Sequence, residues 1–246
     1  MKKYRWQILL SASLVALSAA LYLLHYAFFR DVHHIFIYLV GDVAFVPIEV
    51  LLVTIIIHRL LSFREKRSML NKLNMVIGAF FSEVGTKLLK FFSPMDTDPE
   101  RLVESFAEVK DWTDRQFASG AGRAVLRDLT VDPRKGDLPG LREFLAARRT
   151  FLLGLLENPN LLEHERFTNL LWAVFHLAEE LENRQEFGKL PDTDVAHLAG
   201  DIRRAYSRLL VEWLAYMRHL KRDYPYLFSL AVRTNPLDAS ASVVVA

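Results

Sequence analysis

Hydrophobic positions fall into two regimes along this chain. Residues 6–61 are almost continuously apolar, whereas residues 62–238 mix apolar and charged positions at helical spacing. The first regime is divided by Arg30-Asp31-Val32-His33-His34. Before that divider, about 22 residues from Ile8 to Phe29 contain one histidine, His25, and no Asp, Glu, Lys or Arg; at about 1.5 Å per residue they reach about 33 Å, enough for a hydrocarbon core. After it, Ile35 to Leu61 supplies about 27 residues and about 40 Å, which implies tilt or a protruding end. The pattern predicts a transmembrane helical hairpin in residues 1–62, with spans at about 8–29 and 35–61.

Charge sets the expected orientation. Lys2, Lys3 and Arg5 precede the first span, and Arg59, Arg64, Lys66, Arg67 and Lys72 follow the second, while the divider carries only Arg30. The positive-inside rule puts both termini in the cytoplasm of a multi-pass inner (plasma) membrane protein. MKKYR followed by Ser18-Ala19-Ala20 also resembles a cleaved signal peptide, but LYLLHYAFF continues the apolar run beyond that point.

Within the spans, polar residues are costly and therefore informative. On the second, Tyr38, Asp42 and Glu49 fall on one face at 100° per residue, and on the first Gln7, Ser11, Ser18, Tyr22 and His25 share another. In an antiparallel hairpin Tyr22 and His25 come level with Asp42, and Ser18 comes near Glu49. Pro47 frees a carbonyl one turn earlier and kinks the helix, and Ala12, Ala16 and Ala20 offer a row for close packing. The stripe suits either polar glue between helices or a route for protons or cations. His33 and His34 at the outer turn are weak metal candidates, since adjacent helical residues point about 100° apart; Asp31 there suits an N-cap.

The second regime begins with a basic juxtamembrane stretch, and residues 59–72 are expected to meet anionic head groups. In residues 63–92 one face collects Leu73, Val76, Ile77, Phe80, Phe81, Val84, Leu88 and Phe91, with Gly78, Ser82 and Gly85 as a small-residue helix-packing stripe. That pattern predicts an amphipathic helix lying in the membrane interface or contacting another subunit. Ser93-Pro94-Met95-Asp96-Thr97 reads as a linker. Residues 98–232 then read as a cytosolic α-helical bundle: Asp98-Pro99 opens a helix to about Ala118, ended by Ser119-Gly120-Ala121-Gly122, and further helices cover about 140–157, 160–186 and 192–224. PYLFSLAVRTNP is too short to span and is expected to fold back on the bundle or a neighbouring subunit. Residues 233–246 form a tail. The fold class is all-α.

Composition narrows function mainly by exclusion. The net charge of +2 leaves no footprint for nucleic acid, and the absence of cysteine removes thiolate chemistry and disulfides. HExxH, phosphate-loop and GxSxG motifs are absent, so no enzyme activity and no cofactor is expected. His176 and Glu180 have a spacing suited to a metal, but His176, like His164 and His197, falls away from its helix's apolar face and reads as solvated surface. The expected function is a homo-oligomeric membrane anchor for a cytosolic scaffold or sensor domain with a protein partner. The alternative is an oligomeric ion or proton channel component using Asp42 and Glu49.

Overall fold

The computed structural model describes residues 2–107, 109–118, 129–162, 164–238 and 241–244. The chain is 82% helical, with no strand among the described residues. It divides into two compact units, Met1–Lys66 and Arg67–Ala246.

The first unit contains α1 (Lys2–Phe29) and the first part of α2 (Val32–Phe80). Only Arg30 and Asp31 separate them. Arg30 takes the left-handed conformation (φ 50°) and its N–H donates to Tyr26 O at 2.8 Å, closing the end of α1. The carboxylate of Asp31 accepts the His34 N–H at 3.2 Å, capping α2. Apolar side chains point outward on every side. The stretches Trp6–Phe29 and Val32–Lys66, with mean hydropathies of 2.0 and 2.3, have none of their most apolar window buried. They are long and apolar enough to cross a membrane.

The second unit has a closed core. After Phe80 the backbone makes one π-helical turn, Phe81–Gly85, before α3 (Thr86–Phe92). Both the N–H and the hydroxyl of Thr86 donate to Phe81 O, the hydroxyl at 2.8 Å, which holds the widened turn. The extra residue rotates the following helix face. Leu88, Leu89 and Phe92 therefore enter the core while Phe91 is only half-buried, where uninterrupted 3.6-residue spacing predicts Phe91 inside.

The remaining elements are α4 (Pro99–Ala107), α5 (Asp114–Ala118), α6 (Leu138–Ala147), α7 (Arg149–Leu156), α8 (Pro159–Leu162), α9 (Glu165–Glu182), α10 (Asp192–Asp223) and α11 (Pro225–Arg233). Three expected helices are divided. The one from Asp98 ends at Ala107, and α5 restarts beyond Thr113, whose N–H and hydroxyl both donate to Gln116 Oε1. Arg148 separates α6 from α7. His164 caps α9, its Nδ1 accepting the Phe167 N–H at 3.1 Å. The expected stop at residues 119–122 lies outside the described residues, as do residues 239, 240, 245 and 246 of the tail.

Aromatic pairs tie this unit together: Phe80 on Phe167 (5.2 Å, edge to face), Phe81 stacked on Tyr216 (4.9 Å) and Phe92 on Tyr206 (5.5 Å). The helix expected at the membrane surface is thus core. Leu73, Ile77, Phe80, Phe81, Val84 and Leu88 are all buried against α9 and α10, so their apolar face is already covered within the chain. α11 packs back on the unit through Phe228, with Lys221 over its ring at 5.4 Å.

Candidate functional site

Two clusters collect residues with chemistry, one in each unit. In the first unit a cleft of about 640 Å³ between α1 and α2 is lined by Ser18, Tyr22, His25, His34, Tyr38 and Asp42, with Leu21, Phe29 and Ile35. Five residues of the expected polar stripe therefore stand in one cleft. His34 joins them: its ring stacks on His25 with centroids 5.9 Å apart and meets Tyr38 edge-on at 4.7 Å. His25 Nε2 is enclosed without a hydrogen-bond partner. Glu49 is exposed and does not line the cleft. Nor are His33 and His34 a pair, since His33 is exposed and only His34 enters the cleft.

The small-residue stripe does not form one surface. Gly78 faces the Tyr216 ring, with 3.6 Å left for a β-carbon; Ser82 is exposed; Gly85 is buried where a β-carbon would come within 2.6 Å of Phe81 and 2.9 Å of Phe80. The two glycines are thus used inside the fold.

The second cluster lies on α9 and α10, where two half-patterns meet. α9 carries His176 and Glu180 four residues apart, and α10 carries His197 and Asp201 four residues apart, so each pair projects from one helix face. A nine-residue connection, 183–191, turns the chain between them. Counting about 1.5 Å per residue from that turn puts His176 and His197 near one level, with Glu180 closer to the turn and Asp201 farther from it, so both imidazoles stand between the two carboxylates. The distances agree. His176 Nε2 stands 3.6 Å from Asp201 Oδ2 and 3.9 Å from Glu180 Oε1; His197 Nε2 stands 3.3 Å from Asp201 Oδ2 and 3.6 Å from Glu180 Oε2.

Burial differs sharply within this group. Asp201 is only 3% exposed, whereas the two imidazole side chains are 46% and 54% exposed. Arg204 donates to Asp201 Oδ1 at 2.6 Å, but Oδ2 is buried and receives no hydrogen bond. Glu180 accepts from Arg184 Nη1 at 2.7 Å through Oε2, and Arg184 is held in turn by Asp194. The Arg184 hydrogen bond keeps the Glu180 carboxyl below the usual glutamate range, against a smaller opposing effect of burial, with His197 and His176 adding to the lowering. Each carboxylate has one oxygen held by an arginine; Asp201 Oδ2 faces both imidazoles, whereas Glu180 faces His176 through Oε1 and His197 through the same Oε2 that Arg184 holds. Reading His176 and Glu180 as solvated surface omitted the opposing helix, which the one-helix pattern does not contain.

Residues 2–61 match the family described as the N-terminal helical domain of MJ1433, and residues 69–233 match that described as the C-terminal helical domain of uncharacterized protein MJ1433. The protein of that name from Methanocaldococcus jannaschii is 42% identical over 245 residues, which cover 99% of this chain and 98% of the relative. No solved structure matches the chain.

Proposed function

The chain belongs to the MJ1433 family, and on that premise we propose that it is a plasma-membrane protein in which α1 and the apolar part of α2 form a two-span anchor for a cytosolic helical domain acting as scaffold or sensor. One observation carries this reading: the two apolar stretches keep their windows wholly unburied, whereas a core helix of a soluble protein hides most of such a window. A helix apolar on all sides needs an apolar solvent. The excess of Lys and Arg before Trp6 and after Arg59, against Arg30 alone at the turn, supports both termini in the cytoplasm. Residues 59–72 then face anionic head groups, and the domain beyond Arg67 meets its protein partner in the cytosol.

The absence of cysteine makes the topology directly testable. Single variants His33→Cys and Thr150→Cys are exposed to a membrane-impermeant maleimide in intact cells. His33→Cys should label from outside and Thr150→Cys only after lysis. Labelling of Thr150→Cys in intact cells would overturn the orientation.

A second reading is favoured by the cleft holding Ser18, Tyr22, His25, His34, Tyr38 and Asp42. Two helices do not enclose an aqueous path, so a proton or cation route here requires several copies around it. The same protein in liposomes separates the readings. Flux that falls in Asp42→Asn supports the route; no flux at any pH or voltage leaves the anchor alone.

A further inference from the structure

We propose that His176, Glu180, His197 and Asp201 form a binding site for a divalent first-row transition-metal ion, clasping α9 to α10. The inference concerns the second unit alone and does not depend on the membrane topology.

Geometry supplies the first argument. Four donors about 2.0–2.1 Å from one zinc ion at tetrahedral angles stand about 3.3 Å apart. Among the proposed donor atoms, Asp201 Oδ2 stands 3.3 Å from His197 Nε2 and 3.6 Å from His176 Nε2, Glu180 Oε1 stands 3.9 Å from His176 Nε2, and ligand atoms of His176, Glu180 and Asp201 all lie within 4.8 Å of one another. Completing the set requires the His197 ring, which is 54% exposed, to turn toward Glu180 Oε1. Helical bundles likewise build metal centres from inward-projecting side chains on facing helices, some of them paired about one turn apart.

The second argument is independent and comes from Asp201. A carboxylate oxygen that is buried without a donor is expensive. Asp201 Oδ2 is in that position, on a residue 3% exposed, and both imidazole Nε2 atoms face it. A cation between them supplies the missing partner. The arginines are placed as outer supports. Arg204 fixes Asp201 through Oδ1 at 2.6 Å and Arg184 fixes Glu180 through Oε2 at 2.7 Å, leaving Asp201 Oδ2 and Glu180 Oε1 for the ion.

Donor chemistry selects the class. Two imidazoles and two carboxylates suit zinc, manganese, iron or cobalt better than calcium, which prefers six to eight oxygens. The imidazole side of the site is open, so the ion would retain access to water.

The test uses the full-length untagged chain in mild detergent, stripped with chelator, loaded with Zn²⁺ alone, desalted and measured by elemental analysis. Wild type should retain about one zinc per chain, and His176→Gln/His197→Gln should bind at least tenfold more weakly in a competition titration against a chromogenic chelator. His33→Gln/His34→Gln should bind like wild type. Helical content by circular dichroism confirms that each variant is folded, which the exposure of both imidazoles favours. Substituted Co²⁺ should give visible d–d absorption that Asp201→Asn changes, a signal that a purely ion-paired clasp between the helices does not produce. Equal zinc retention by wild type and the double histidine variant, or none by folded wild type, would overturn the site.

Discussion

Residues 6–66 and residues 67–238 are both helical and both rich in Leu, Ile, Val and Phe, yet they use these residues in opposite ways. In the first unit the apolar side chains surround the helices: Leu9, Leu23, Ile37 and Leu60 point outward on all sides. In the second they form one stripe per helix and meet in a core where Phe80, Leu88, Phe92, Phe167, Tyr206 and Met217 are fully enclosed. Composition alone does not separate the two cases. The periodicity does, because a stripe calls for cover on one face and an unbroken apolar surface calls for apolar surroundings on every side. The family matches change between residues 61 and 69, the same interval in which the structure divides.

The largest expected effect tests that difference directly. Phe80→Ala removes a ring that no solvent reaches and that packs edge-on against Phe167, so it should destabilise the second unit by about 3–5 kcal/mol. Ile56→Ala removes a side chain exposed on the first unit and should leave the unfolding of the second within about 0.5 kcal/mol of wild type. Denaturant titration followed by tryptophan emission measures both. A large loss in Ile56→Ala would mean that the apolar spans are protein-covered after all.

An intermediate effect separates the two glycines that one pattern had joined. A β-carbon on Gly85 would collide with Phe80 and Phe81, so Gly85→Ala should cost about 1–3 kcal/mol through overpacking. At Gly78 the nearest atoms belong to Tyr216 at 3.6 Å, an ordinary contact. Gly78→Ala should therefore be neutral, or stabilising by up to about 1 kcal/mol from helix propensity. A shared subunit-packing stripe would instead make both substitutions harmful to assembly. Native mass spectrometry with thermal melts gives the two answers together.

The glycines also mark how much was legible beforehand. The two apolar stretches, the helical class and the Asp31 cap followed from local rules, because hydropathy and capping act over a few residues. The π turn at Phe81–Gly85 did not, since it depends on Thr86 bonding back to Phe81 and on rings that pack from α9 and α10. One inserted residue then misplaces the face of all that follows. The His and carboxylate cluster was half visible as His176 and Glu180. Its other half needs α10 beside α9 in the correct register, which single-helix periodicity does not encode. A signal was nonetheless present: His-x-x-x-Glu and His-x-x-x-Asp on consecutive helices, with the two histidines at similar distances from one nine-residue connection.

The smallest effect concerns a buried carboxylate within the second unit. Glu212 is 2% exposed, and Arg166 reaches it only at 3.4 Å, leaving Oε1 without a hydrogen-bond donor. Burial raises its carboxyl above the usual glutamate range, against the opposing pull of Arg166. The unfolded chain ionises this group near pH 4.3, roughly the ordinary value, and the folded chain only at higher pH. Between those two points the folded state holds a proton that the unfolded state has lost, so stability falls as pH rises through the window and stays lowered above it. Asp114, Glu180, Asp194 and Asp223 have the opposite sign, their carboxyls being held low by arginine hydrogen bonds; they favour folding above the ordinary carboxylate range and lose that contribution on acidification. Glu212→Gln isolates the first effect. It keeps the shape of the protonated acid and removes the charge, while Arg166, largely exposed, remains solvated. The variant should be more stable than wild type by about 1 kcal/mol at neutral pH. Its advantage should shrink toward zero as pH drops to about 4, where wild-type Glu212 is itself protonated. A variant advantage that stays constant across this range, measured by thermal melts from pH 4 to 8, would show that Glu212 ionises at the same pH in the folded and unfolded chain and that its burial raises nothing; a variant less stable at neutral pH would show that the Arg166 pair outweighs the cost of burial.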